Sequence, residues 1–158
     1  MVFENAEEVA AAINTVLEEC LKASPATPNE VYAVLTLLSR LAMFIETHPV
    51  ELPDDNDRLI PEAENEKISE IVTQRFPNWK CYNQCADISV NVGETTVVVT
   101  EAASDIAGIV CELTQIKWVF DNESGADALW HLHDGYLYNW REFLLNLKLY
   151  EHALFNER

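Results

Sequence analysis

Glycine and positive charge are the scarce components of this chain. Among 158 residues there are four glycines, Gly93, Gly108, Gly125 and Gly135, with gaps of 15, 17 and 10 positions. A dinucleotide fingerprint, a P-loop or a nucleophile elbow needs glycines within a few positions of one another, so none can be written here. Lys and Arg number 10 against 27 Asp and Glu, a net charge of −17. Non-specific nucleic-acid binding runs on cations that neutralise phosphates, and an anionic membrane surface makes the same demand. The charge therefore predicts neither nucleic acid nor membrane as partner.

Long apolar runs are also missing. The best, Ala33 to Leu38, falls far short of the roughly 18 residues of a membrane span. Met1-Val2-Phe3-Glu4, followed by Glu7 and Glu8, has no basic n-region of a secretory signal. The chain reads as cytoplasmic, with its thiols reduced. Cys81 and Cys85 are spaced C-x3-C, and Cys20 and Cys111 form no second pair, so neither a redox C-x-x-C nor a zinc site is expected. The four cysteines are expected to be small buried hydrophobes.

What the chain does have is helical periodicity. With 49 % apolar residues it can bury a core, and its length fits one domain spanning 1–158. A first helix is predicted from Ala6 to Leu21, capped by Asn5 with Glu8 at the capping-box spacing and striped by Val9, Ile13, Val16 and Cys20. Thr27, Pro28 and Glu30 start a second, striped by Val31, Leu35, Leu38, Ala42 and Ile45 and stopped by Pro49. A third is expected from Pro61 to Arg75, and a fourth from Ala102 to Phe120 with Ser104 as a local cap. The last is the longest: Leu129, Leu132, Tyr136, Trp140, Phe143, Leu147, Tyr150 and Leu154 recur every three or four residues. Gly135 within it suits a close crossing or a kink. Between the third and fourth helices, Ile88, Val90 and Val92 alternate, Gly93-Glu94 suits a turn, and Val97-Val98-Val99 is β-branched. That pattern allows a small β-hairpin at 86–100. The fold class is thus all-α, or mainly α: a bundle of about five helices with a long C-terminal helix.

The C-terminal third carries a resemblance. Ser104-Asp105-Ile106-Ala107-Gly108-Ile109-Val110-Cys111-Glu112-Leu113, then Ala128-Leu129-Trp130-His131-Leu132-His133 and Tyr138-Asn139-Trp140, resemble the bacterial domain of unknown function 5063 family over about residues 95–155. The family favours His-Trp-Gly-x-His where this chain has Asn139-Trp140-Arg141-Glu142-Phe143, so no role for those histidines carries over. The resemblance implies a helical domain and brings no activity, cofactor or catalytic residue.

Two constellations remain. On the last helix, Asp127 and Asp134 fall opposite the apolar stripe, flanked by Trp130, His131, Tyr138 and Arg141. Exposed aromatics beside carboxylates suit a partner surface, unless another helix covers Trp130. Asp127, His131 and Asp134 at i, i+4 and i+7 could approach a divalent metal. A helical metal site needs matched carboxylates on a second helix, and Glu62, Glu66 and Glu70 read better as a solvated face. No metal and no cofactor is predicted.

The other constellation is charge. Residues 51–70 carry Glu51, Asp54, Asp55, Asp57, Glu62, Glu64, Glu66 and Glu70 against Arg58 and Lys67, a local net of −6. Solubility explains such density, and so does a basic partner, which carboxylates steer and pair with bidentately. With no nucleophile–base motif in the sequence, the expected function is a non-enzymatic, acidic binding protein. Its concrete form is an antitoxin-like immunity protein that occludes the active site of a basic, nuclease-type toxin domain. The partner-binding residues are then Asp54, Asp55, Asp57, Glu62, Glu64, Glu66, Asp127, Trp130, Asp134 and Tyr138. A housekeeping adaptor, or less readily a metal-dependent helical hydrolase, is the alternative.

Overall fold

A computed structural model describes residues 3–53 and 59–156; Asp54, Asp55 and Asp57 lie outside the described residues. The order is α1 (Ala6–Cys20), α2 (Pro28–Thr47), α3 (Asn65–Arg75), β1 (Cys81–Cys85), β2 (Val97–Glu101), α4 (Ala102–Asn122), α5 (Gly125–Gly135), a π-helical turn (Tyr136–Trp140) and α6 (Arg141–Asn156). The mainly α class, the long C-terminal helix and the small hairpin all stand.

The first helices form where their local signals place them. Asn5 Oδ1 accepts from the Glu8 N–H at 2.9 Å. Thr27 Oγ1 accepts from the Glu30 N–H at 3.3 Å while the Glu30 carboxylate accepts from the Thr27 N–H at 2.8 Å, a complete capping box. The Thr27 N–H, and after it the Thr27 hydroxyl, which donates to the same carboxylate at 3.0 Å, and Arg75 hold the Glu30 carboxyl down to about 2.

Elsewhere the structure departs from the sequence reading. α3 starts at Asn65, not Pro61, with no side-chain cap from Glu64; the Pro61 carbonyl lies ahead of the helix and accepts from Gln115 Nε2 at 3.2 Å. Ser104 is not a cap: it lies inside the first turn of α4 and donates to the Glu101 carboxylate at 3.0 Å. The first hairpin strand lies upstream of 86–100, at Cys81–Cys85, paired antiparallel with β2 from Cys81 opposite Glu101 to Cys85 opposite Val97. Ile88, Val90 and Val92 are in the connection and exposed. Asn91 and Gly93 there take φ of +51° and +86°, left-handed backbone that ends an extended run. The buried-cysteine expectation holds for Cys20, whose thiol burial pushes up to about 12, and fails for Cys81 and Cys85, which are exposed.

α4 is the central helix, packed against α1, α3, α5 and α6. Its Ile106, Ile109 and Leu113 meet Val9, Ile13, Leu38, Leu41, Leu132, Trp140 and Leu147 in one cluster of fully buried side chains. Gly108 lets α6 close on it: a Cβ there would stand 3.0 Å from the Phe143 ring. Arg75, fully buried, ties the ends of α1, α2 and α3. Its Nε donates to the Glu19 carbonyl and its Nη1 to the Ser24 carbonyl, both at 2.8 Å. Nη2 stands 3.5 and 3.3 Å from the Glu19 and Glu30 carboxylates.

The C-terminal stretch holds one surplus residue. The Arg141 N–H bonds the Tyr136 carbonyl, an i to i+5 bond. Ala128, Leu132, Tyr136, Trp140 and Leu144 are all buried at steps of four. On a 3.6-residue helix each such step drifts about 40°, so the stripe would wander off the core. The π turn takes up most of that drift.

Candidate functional site

The same turn builds a polar cleft. Where α5 ends at Gly135, α4 passes so close that a Cβ on Gly135 would sit 2.7 Å from Glu112 Oε2. The missing side chain is what lets the Glu112 carboxylate stand there. Asn139, carried by the π turn, donates to Glu112 Oε1 at 2.8 Å. Glu112, Asn139, Gln115, Ile116, His131, Asp134, Gly135 and Ile60 line a cavity of about 100 Å³, the room of about three waters.

Its electrostatics are one-sided. Burial lifts the Glu112 carboxyl above its ordinary range; the Asn139 amide opposes this and the Asp134 charge adds to it. Burial lowers His131, against the pull of Asp134 and Asp127, favouring the uncharged ring. No Lys or Arg is among the lining residues. Nearby Arg141 is engaged elsewhere, 3.5 Å from Glu46 Oε1 and over the Tyr136 ring at 5.7 Å. Tyr136 donates to that same Glu46 at 2.6 Å, and burial, then Glu46, push its hydroxyl up to about 12. The cleft can accept a cationic head group.

The sequence-predicted residues divide. Asp134 lines the cleft, and Ile60 and Pro61, just ahead of Glu62, Glu64 and Glu66, reach its edge through Ile60 and Gln115. Segments remote in sequence thus meet. Glu62, Glu64 and Glu66 are exposed, Glu64 with Lys67 Nζ 2.9 Å away. Asp127 is half-buried next to the α5 cap, where Ser124 Oγ accepts from its N–H at 3.1 Å. Trp130 is half-buried with its ring edge-on to His131, and Tyr138 is 79 % exposed; neither lines the cleft. Among the described residues no three His, Cys, Asp or Glu side chains could together hold a metal ion, so Asp127, His131 and Asp134 do not converge as ligands. Glu112 and Asn139 were missed by the sequence reading. The signal for them was the run of apolar residues at steps of four across Gly135.

A second polar cluster lies under the hairpin. Tyr82 donates to Asp105, and Gln84 Nε2 donates to Glu142 Oε1 at 2.5 Å. Burial raises the Asp105 carboxyl; the Tyr82 hydroxyl opposes that shift and the Glu142 charge adds to it.

No protein-family model matches this chain, and no curated protein matches it. Among solved structures, the crystal structure of protein BF1032 from Bacteroides fragilis is similar, with a TM-score of 0.67 and 18 % identity over 95 % of this chain and 89 % of that one. Among the described residues no helix is long and apolar enough to cross a membrane. At that identity, what the two chains share is the fold.

Proposed function

We propose that this chain is a non-enzymatic binding protein for a basic protein partner, acting as an immunity protein that covers the cationic site of a nuclease-type toxin domain. The observation that carries this reading is the cleft at Gly135, where two half-buried carboxylates, Glu112 and Asp134, stand together and no Lys or Arg among the described residues lines the cavity. An Arg or Lys of the partner completes that pair, and charge-assisted bonds to a half-desolvated carboxylate are stronger than those at an open surface. The net charge of −17 steers the encounter, and the exposed Glu62, Glu64 and Glu66, a few residues on from Ile60, add to that field.

The test is capture of partners from the host lysate at low and then high salt, followed by an activity assay of whatever is captured. A single basic partner that elutes as salt rises, and whose nuclease activity this protein abolishes at one-to-one stoichiometry, supports the reading. Glu112→Gln with Asp134→Asn then weakens the complex at least tenfold. A neutral partner held independently of salt overturns it and favours an adaptor.

A further inference from the structure

The hairpin leaves a groove that the cleft does not use. One wall is β1 with Ile88; the other is a single stripe of α6, namely Asn146, Leu149, Tyr150, Ala153 and Leu154. Its volume is about 550 Å³, within the range of ordinary ligand sites. Tyr82 stacks on Tyr150 at 5.2 Å, and the Lys80 N–H donates to the Tyr150 hydroxyl at 3.0 Å, fixing the two walls together.

The β1 wall is an open sheet edge. The bonds Ala86 N–H to Thr96 carbonyl and Ala102 N–H to Lys80 carbonyl set the phase of the ladder. By alternation Tyr82 and Gln84 turn their backbone groups to β2, whereas Cys81, Asn83 and Cys85 turn theirs outward. Among the described residues the sheet has two strands, so those outward N–H and C=O groups meet no third strand. Five residues of strand span about 17 Å, a length that the eight-residue rise from Asn146 to Leu154, about 12 Å, largely covers. An unpaired edge facing an apolar helix stripe across a gap is the geometry of strand addition.

Charge selects the occupant. From Cys81 to Asp105, the hairpin and the turn of α4 under it, the chain has no Lys, Arg or His but holds Asp87, Glu94, Glu101 and Asp105. A second copy would bring the same deficit and a further net charge of −17. We propose that this groove takes an extended, cationic peptide segment of a partner protein, which adds a strand to the free edge of β1 and lays alternate apolar side chains against α6. This goes beyond the cleft reading and stands on different residues, so either can fail alone.

The probe is a capped seven-residue peptide of alternating Lys and Val, titrated into the full chain by fluorescence anisotropy. Two versions, N-methylated on one or the other alternate set of amides, have the same charge and block opposite edges of the strand. Saturable binding, lost at least tenfold with one methylated set and kept with the other, supports the inference. So does slowed hydrogen exchange at Cys81, Asn83 and Cys85. Asn83→Pro removes one outward N–H, and Ala153→Phe fills the helix wall without touching the sheet or changing the charge; each should weaken binding at least tenfold, with an unchanged circular dichroism spectrum confirming the fold. Equal binding of both methylated peptides means charge alone and overturns the proposal. A concentration-dependent dimer that Asn83→Pro abolishes and the peptide does not displace overturns it in favour of a second copy.

Discussion

Arg75 and the Gly135 cleft use charge in opposite ways. At Arg75 a fully buried guanidinium has partners for its fork from within the chain: two carbonyls at 2.8 Å and two carboxylates at 3.3 and 3.5 Å. At Gly135 the half-buried Glu112 and Asp134 carboxylates stand together, and among the described residues Glu112 receives one neutral amide donor, from Asn139. The first arrangement is complete, and removing a piece damages the fold. The second is open: among the described residues no Lys or Arg lines it. The comparison teaches that the acidic excess of this protein is not spread evenly in its consequences: one part is locked into architecture and another is left available.

Breaking the complete site gives the largest effect. Arg75→Met should cost about 3 kcal/mol in urea unfolding, since it strands two carbonyls and the Glu19 and Glu30 carboxylates. Arg75→Lys, which keeps the charge and loses the fork, should recover less than half. A loss below about 1 kcal/mol for Arg75→Met would show that the two sites do not differ as described.

At the open site the sign reverses. The folded-state pKa of Glu112 is raised. Its stabilising contribution is therefore present below the unfolded carboxyl value and lost as pH rises through the folded one. At pH 7 the ionised carboxylate opposes folding, so Glu112→Gln should raise stability by about 0.5 kcal/mol, a figure kept small because the group is half-exposed and screened. The same substitution should weaken association with a basic partner about tenfold, or 1.4 kcal/mol. A variant that is both less stable and equally tight would place Glu112 with the structural charges.

Gly135→Ala sharpens the contrast further. The added methyl meets the flexible end of Glu112 at 2.7 Å, so the carboxylate swings aside. Helix propensity compensates, and thermal unfolding should change by less than about 1 kcal/mol. Partner affinity should fall as it does in Glu112→Gln, and unchanged affinity would detach the cleft from binding.

The smallest effect concerns Glu30, which caps α2 and faces Arg75. Its folded pKa is held near 2, below the ordinary carboxyl value. The stability it contributes is present above the unfolded value of about 4.5 and lost as pH falls toward 2. Melting temperatures of the native chain and Glu30→Gln should therefore converge across that window; parallel curves would remove the carboxylate from the linkage.

Legibility followed the range of the interactions. α1 and α2 could be placed from the sequence because Asn5, Thr27, Pro28 and Glu30 act within three residues of themselves. β1 could not: Cys-Tyr-Asn-Gln-Cys has no apolar alternation, and its inward-facing Tyr82 and Gln84 are satisfied by Asp105 and Glu142, far along the chain. The connection looked more like a strand than the strand did, because Ile88, Val90 and Val92 alternate without anything to pack on. Of the candidate site, Asp134 and the acidic run at 51–70 were readable as charges. Their meeting place depended on Glu112, which is one polar residue in a buried helix until Gly135 brings α5 against it. Arg75 likewise reads as an ordinary last-turn cation and is in fact the fully buried junction of three helices.

The π turn at Tyr136–Trp140 also makes the last sixteen residues a dial. Excising one residue from it would restore ordinary α-helical winding, turn α6 by about 100° and draw it back by about 1.5 Å. Leu147 would leave the core, and the stripe from Asn146 to Leu154 would no longer face β1. The cleft and the groove, which share no lining residue, are thus both indexed to a single surplus amino acid, and a one-codon deletion would mis-set them together.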